Sequence, residues 1–213
     1  MNIAILLFDR FTALDAVGPY EVLQRMPGAE LKFVAREKGP VRTETRNLAL
    51  TADATLAEVV SADILVVPGG PGQSAIMEDK EILDWIRLID SGSKWTTSVC
   101  TGSLLLGAAG LLKGLRATSH WLALEILREF GAEPTGERVV VQGKVVTAAG
   151  VSAGIDMALR LVALECGEMQ AQAIQLGIEY DPQPPFNAGS PATCPTSIVE
   201  MLRQRSRFIL QGR

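Results

Sequence analysis

The chain has 213 residues, a length typical of one domain with some additional structure. Hydrophobic residues make up 47% and charged residues 21%, proportions that exclude disordered and disulfide-scaffold proteins. The net charge of −4 lacks the basic excess of nucleic-acid-binding proteins. The apolar runs are too short for a membrane span, and Asp9 and Arg10 interrupt the first run where a signal peptide would continue. We therefore expect a cytoplasmic protein that binds neither nucleic acid nor membranes.

Apolar runs alternate along the chain with segments of helical spacing. The predicted strands are IAILLF (3–8), LKFVA (31–35), ILVVPGG (64–70), WTTSVC (95–100) and KVVTAAG (144–150). The predicted helices cover 18–26, 80–90, 102–112, 120–131 and 152–167. Because several strands are apolar on both faces, the pattern predicts an α/β fold with a mostly parallel sheet sandwiched by helices.

Shorter signals refine this prediction. Gly131 is placed to end a helix, and Gln142-Gly143 is placed to form a hairpin turn. The segment 41–55 is interpreted as a short antiparallel excursion. Together these signals predict a single domain over residues 1–213.

The end of the chain differs in composition from the rest. Residues 180–195 contain five of the 11 prolines, which excludes a regular helix or an inner strand. Helical spacing returns in 196–210, through Ile198, Met201, Leu202, Phe208 and Ile209. We expect 180–213 to form a proline-rich arm and a terminal helix that packs on the body of the protein or on a partner subunit.

Three cysteines and one histidine limit the chemistry. Cys100, Cys166 and Cys194 are far apart, and His120 is alone, so the usual zinc-binding spacings are absent and no metal site is expected. An odd number of cysteines in a cytosolic chain indicates free thiols. Cys166 and Cys194 are interpreted as buried and inert.

Cys100 stands between a predicted strand and a predicted helix, in TTSVCTGS. Such a corner presents a side chain above the carboxyl end of the sheet, as a nucleophile elbow does. The N-terminus of the following helix is expected to lower the pKa of the thiol. The elbow therefore makes Cys100 the candidate nucleophile.

Two more loops leave the same end of the predicted sheet. In VVPGGPG, the Gly70 N–H together with that of Cys100 or Thr101 is a candidate oxyanion hole, although an ordinary turn has the same sequence features. Asp15, ahead of Gly18-Pro19, is a candidate helix cap or an acid whose pKa is raised beside the thiol. Thr101 is a candidate to orient water.

His120 is the only imidazole in the chain. It does not adjoin Cys100 in sequence, so it can reach the thiol only through the fold. We do not expect it to act as the base, and we take it, with Gly70, as a candidate oxyanion- or substrate-binding residue.

The segments LDAVGPYEVL, VVPGGPG, TSVCTGSLLLGAAGLLKGLRATSHW, TAAGVSAGIDMALRLV and YDPQPPFNAGSP resemble the ThiJ/PfpI-like superfamily, and within it the bacterial isocyanide hydratases. The resemblance implies a flavodoxin-like, class I glutamine-amidotransferase-like sandwich that forms a homodimer. It implies Cys100 as nucleophile, Asp15 as general acid/base and Thr101 as a positioning residue. The implied reaction hydrates an isocyanide to a formamide through a thioimidate, without a cofactor.

Other functions stay open at this point. The peptidase-like branch has histidine where Thr101 stands, and the deglycase-like branch usually has glutamate where Asp15 stands. The alternatives are a glyoxalase or deglycase acting on small α-oxoaldehydes and the ligand-sensing module of a transcription regulator. Oxidant sensing by Cys100 is compatible with any of these functions.

Overall fold

A seven-stranded sheet forms the centre of the computed structural model, which describes residues 1–206. The strands are β1 (Asn2–Leu6), β2 (Glu30–Ala35), β3 (Gly39–Arg42), β4 (Ala49–Ala52), β5 (Ala54–Thr55), β6 (Ile64–Val67), β7 (Trp95–Val99), β8 (Arg116–Ala117), β9 (Glu133–Pro134), β10 (Val139–Gln142) and β11 (Val145–Ala148). In space the order of the main sheet is β10-β11-β7-β6-β1-β2-β5. All five predicted strands lie in this sheet.

The pairing is parallel throughout the main sheet except between β10 and β11. The hairpin of β3 and β4 is the antiparallel excursion predicted for 41–55. The turn between β10 and β11 consists of Gly143 and Lys144, one residue later than predicted. The predicted α/β class is confirmed.

The helices pack in two groups. They are α1 (Ala13–Leu23), α2 (Gln73–Ile76), α3 (Lys80–Gly92), α4 (Gly102–Ala108), α5 (Ala153–Cys166), α6 (Glu168–Gly177), α7 (Thr196–Gln204) and a 3₁₀ helix (Leu124–Phe130). One group joins α5 to α1 and α6, and the other joins α4 to α2, α3 and the 3₁₀ helix. Because β6 is buried at every residue, helices cover both faces of the sheet there.

Two predicted helices differ from the observed ones. The first begins at Ala13 instead of Gly18, which places Asp15 in its first turn and Pro19 in its interior. Thus Asp15 does not lie in a loop, and it does not cap the helix. The segment 120–131 contains a 3₁₀ helix, which ends at Gly131 in the predicted left-handed conformation (φ 74°).

The arm over 180–195 contains no helix or strand, as predicted. The helix that follows, α7, packs on the body through the buried Val199 and through Arg203, whose guanidinium lies 5.9 Å from the centre of the Trp121 ring. Phe208 and Ile209 lie outside the described residues. The homodimer stays a prediction.

The turns that follow β6 and β7 are packed tightly together. A Cβ atom added to Gly102 would lie 2.1 Å from the carbonyl oxygen of Val67 and 2.8 Å from that of Pro68. These are backbone atoms, so relief requires a shift of the chain. Glycine at this position is what allows the two turns to approach.

We predict that Gly102→Ala destabilises the fold by about 1–3 kcal/mol, because the added methyl group overpacks the contact between the two turns. Thermal unfolding measures the effect as a lower Tm. Gly136→Ala is the matched control, since no atom lies within 4 Å of a Cβ atom there. Equal Tm values for the two variants would contradict the predicted contact.

Candidate active site

Cys100 sits at the corner between β7 and α4 in a left-handed backbone conformation (φ 57°). Its N–H donates to the carbonyl oxygens of Ala148 (3.1 Å) and Ala149 (2.9 Å). The hydroxyls of Ser103 and Ser119 donate to its carbonyl oxygen at 3.2 and 3.1 Å. A non-glycine residue in this conformation costs on the order of 1–3 kcal/mol, and these bonds hold it in place. The predicted elbow is therefore present, and hydrogen bonds hold both the N–H and the carbonyl oxygen of Cys100.

Asp15 lies fully buried in the first turn of α1. Its Oδ2 accepts a hydrogen bond from the Gly69 N–H at 2.8 Å, whereas Oδ1 has no hydrogen-bond partner within residues 1–206. Burial raises the pKa of this carboxyl to about 7, with a smaller upward contribution from the charge of Glu44. The Gly69 hydrogen bond and the polar thiol of the neighbouring Cys100 oppose the rise in pKa. The raised pKa places the ionisation of Asp15 near neutral pH, next to the thiol.

The Cys100 thiol is 5% exposed, and burial raises its pKa to about 12. The charge of Asp15 adds to this rise, while the N–H groups of Val151 and Thr101 stabilise the thiolate and oppose it. The expectation that the helix N-terminus lowers this pKa is therefore wrong for the resting site. The effect of the N–H groups is present, but burial and the neighbouring carboxylate outweigh it.

Two of the three N–H groups expected to form the oxyanion hole donate to other protein atoms. The Gly70 N–H donates to Thr101 Oγ1 at 3.0 Å, and the Cys100 N–H is held by the end of β11. Only the Thr101 N–H, of the three considered, faces the sulfur. Val151 supplies the second such N–H, and the sequence analysis missed it. Its position directly after the predicted strand 144–150 was the available signal.

A cavity of about 320 Å³ lies over Cys100, large enough for a small molecule. Thr101, Gly70 and His120 line it, as do Thr12 and Glu44, which the sequence analysis also missed. His120 Nδ1 accepts a hydrogen bond from the Leu122 N–H at 3.3 Å, which requires a neutral imidazole. His120 is not among the groups that shift the pKa of Cys100. The fold thus brings His120 to the wall of the same cavity as Cys100.

The other two cysteines do not both match their prediction. Cys166, expected to be buried, is exposed, and Cys194 is partly exposed. Cys166 is the last residue of α5 and is not among the buried residues of that helix. Labelling by thiol reagents alone therefore does not identify the active-site cysteine.

Two classes of site are absent from the described part of the chain. Residues 1–206 contain no cluster of three His, Cys, Asp or Glu side chains that could hold a metal ion. Over the same residues, no helix has the length and apolar character needed to cross a membrane.

Comparison with known proteins adds an independent line of argument. The model of the DJ-1/PfpI family matches residues 1–164. The chain belongs to the DJ-1/PfpI family. Among its relatives, the isonitrile hydratase of Pseudomonas putida is 43% identical over 97% of this chain and 90% of its own length. A crystal structure of a ThiJ/PfpI family protein from Pseudomonas syringae is 41% identical, with a TM-score of 0.93 over 96% of this chain and 85% of that one.

Other DJ-1/PfpI relatives are more distant and have different names. The transcriptional regulator CdhR of Pseudomonas aeruginosa is 30% identical over 80% of this chain, and the match covers 49% of the regulator. The deglycase PfpI of Pyrococcus furiosus is 28% identical over 69% of this chain and 89% of that protein. Family membership thus establishes the fold and is compatible with several activities.

We predict that the stability of the protein relative to Asp15→Asn falls as the pH rises from about 4 to 8. The Asp15 pKa is about 7 in the folded protein and 3.8 without the fold, so in this window the native state keeps a proton that the unfolded state has lost. The difference in unfolding free energy should change by on the order of 4 kcal/mol. Chemical denaturation at a series of pH values measures it, with Asp181→Asn in the exposed arm as the control. A difference independent of pH would show that Asp15 ionises normally.

Proposed function

We propose that the chain is an isocyanide hydratase, which adds water to R–N≡C and releases R–NH–CHO. The observation that carries the proposal is a buried carboxyl group, with one oxygen unpartnered within residues 1–206, beside a buried thiol that lines a small cavity. Identity to the Pseudomonas putida isonitrile hydratase over nearly the whole chain supports the same activity.

The proton content of the Cys100–Asp15 pair suits this reaction. Between pH values of about 7 and 12 the pair holds one proton, shared between two groups that titrate together. As the sulfur attacks the terminal carbon of the isocyanide, the thiol proton passes to Asp15. Asp15 then delivers it to the same carbon, which yields the thioimidate R–N=CH–S–Cys100.

This geometry fits an isocyanide for a specific chemical reason. The sulfur and the proton both add to the terminal carbon, so one acid/base group beside the nucleophile suffices for the first step. A carbonyl substrate instead needs its proton on the oxygen, one bond away from the attacked carbon. The N–H groups of Val151 and Thr101 stabilise the sulfur while it carries negative charge.

Water completes the reaction. Thr101 Oγ1 accepts the Gly70 N–H, which leaves its own O–H free to orient a water molecule. With Asp15 as base, the water oxygen bonds to the thioimidate carbon and the nitrogen gains a proton. The C–S bond of the resulting R–NH–CH(OH)–S–Cys100 then breaks, the hydroxyl proton returns to the Cys100–Asp15 pair, and the formamide leaves.

We predict that Cys100→Ser lowers kcat/KM for cyclohexyl isocyanide by at least about 1,000-fold, because the nucleophile is lost. Asp15→Asn should lower it by about 100- to 10,000-fold, because the proton can no longer be delivered. Formamide production, followed by chromatography, measures both effects.

Cys166→Ser is the matched control, since Cys166 is an exposed thiol away from the cavity. It should keep full activity. The proposed function fails if the unaltered protein makes no formamide and instead consumes methylglyoxal.

We further predict that kcat/KM rises as the pH increases through about 7 and then stays level to at least pH 9. Below the Asp15 pKa of about 7 both members of the pair are protonated, and the carboxyl group can no longer accept the thiol proton. Initial rates at constant ionic strength give the profile. Activity that declines steadily from pH 6 to 9 would refute the one-proton mechanism.

A further inference from the structure

Glu44 occupies a defined position on the wall of the cavity, although its sequence context does not mark it. It lies between β3 and β4, outside the main sheet. Its N–H donates to the Phe11 carbonyl oxygen at 3.0 Å, and its Oε2 accepts from Thr12 Oγ1 at 2.9 Å. Thr12 lines the same cavity and precedes α1, which carries Asp15. These bonds fix the carboxylate at the entrance to Cys100.

Glu44 is the one formally charged side chain at neutral pH among the described residues that line the cavity. His120 is neutral when its Nδ1 accepts the Leu122 N–H. The nearby Arg46 is paired with Asp9 at 2.7 Å and does not line the cavity. Within residues 1–206, the cavity wall therefore carries the negative charge of Glu44 and no lysine or arginine side chain.

Asp15, which neighbours the thiol, adds a second negative charge when it ionises. The negative charges of both carboxylates therefore repel an anionic substrate. Glu44 is exposed at the cavity wall, so water and salt partly screen its charge, and a substrate with its own carboxylate would be repelled as it comes close to that side chain. A neutral substrate meets no such penalty.

Building on the proposed function, we propose that Glu44 is a specificity-determining residue that excludes anionic substrates from Cys100 and admits neutral and cationic ones. The selected class is then isocyanides with an uncharged or cationic substituent. Glu44 acts through the charge of its carboxylate at the cavity wall. It does not need to contact the isocyanide carbon.

The first test uses alkylation of Cys100 and does not depend on hydratase activity. Iodoacetamide and iodoacetate alkylate thiols by the same displacement, with loss of iodide, but only iodoacetate is anionic. The rates are measured by mass spectrometry in a Cys166→Ser, Cys194→Ser background, so that Cys100 is the reacting thiol. The quantity of interest is the ratio of the iodoacetamide rate to the iodoacetate rate.

Glu44→Gln should lower this ratio by about 10-fold, and Glu44→Lys should lower it further. Any change in the ionisation of Cys100 affects both reagents equally and cancels in the ratio. Glu37→Gln, an exposed residue outside the cavity, is the matched control and should leave the ratio unchanged. An unchanged ratio in both Glu44 variants overturns the proposal.

The second test measures kcat/KM for three isocyanides: cyclohexyl isocyanide, isocyanoacetate and an isocyanide with a quaternary ammonium group. Glu44→Gln should raise the value for isocyanoacetate about 10-fold relative to cyclohexyl isocyanide, and should lower the relative value for the ammonium compound. Equal relative values in the two proteins contradict the charge selection.

The two tests separate the two proposals. If the alkylation ratio shifts but no isocyanide yields a formamide, the charge selection stands and the proposed function fails. If formamide forms but neither the alkylation ratio nor the substrate preference responds to Glu44, the hydratase stands and the charge selection fails.

Discussion

The burial of the Asp15 carboxyl beside the Cys100 thiol is the constraint on which the rest of the site depends. Removed from water, the carboxyl keeps its proton up to a pH of about 7, and its charge helps keep the thiol protonated. The pKa of the thiol therefore depends on the neighbouring carboxyl group as well as on burial. The Gly69 N–H holds one carboxyl oxygen and leaves the other without a partner inside residues 1–206. Burying a carboxyl oxygen without a hydrogen-bond partner lowers the stability of the fold, and the same burial raises the pKa of Asp15.

The parallel sheet makes this arrangement possible. Segments that are distant in sequence leave the carboxyl ends of neighbouring strands β1, β6, β7 and β11, and so meet at one edge. The contact of Gly102 with the turn after β6 brings two of these segments together, and bonds from Cys100 to the end of β11 add a third. The strained cysteine and the buried carboxyl are held by the same short loops. Loss of packing there is expected to affect stability and chemistry together.

The sequence pattern predicts where strands end, but it does not predict how deeply a side chain is buried or which distant segments contact it. The strand pattern makes Cys100 and Asp15 candidates because each follows a buried strand, whereas the acid/base role of Asp15 is implied by the family resemblance. The start of α1 was misplaced because Pro19 is normally found in a first turn, whereas here it lies inside the helix. The direction of the Cys100 pKa shift depends on burial by distant segments, which no local pattern contains. Glu44 reaches the cavity through a hairpin whose docking is a tertiary contact.

Glu44 and Asp15 also influence each other, which links substrate selection to the chemistry. The charge of Glu44 contributes to the raised pKa of Asp15, so a change made to admit anions also eases the ionisation of Asp15. Because burial is the larger cause, most of the rise in pKa does not depend on Glu44. If Glu44 selects substrates as proposed, its charge can therefore be changed while most of the raised pKa of Asp15 is retained. On the proposed function, this separation would let different substrates react at one Cys100–Asp15 pair, which fits a family whose members carry different names.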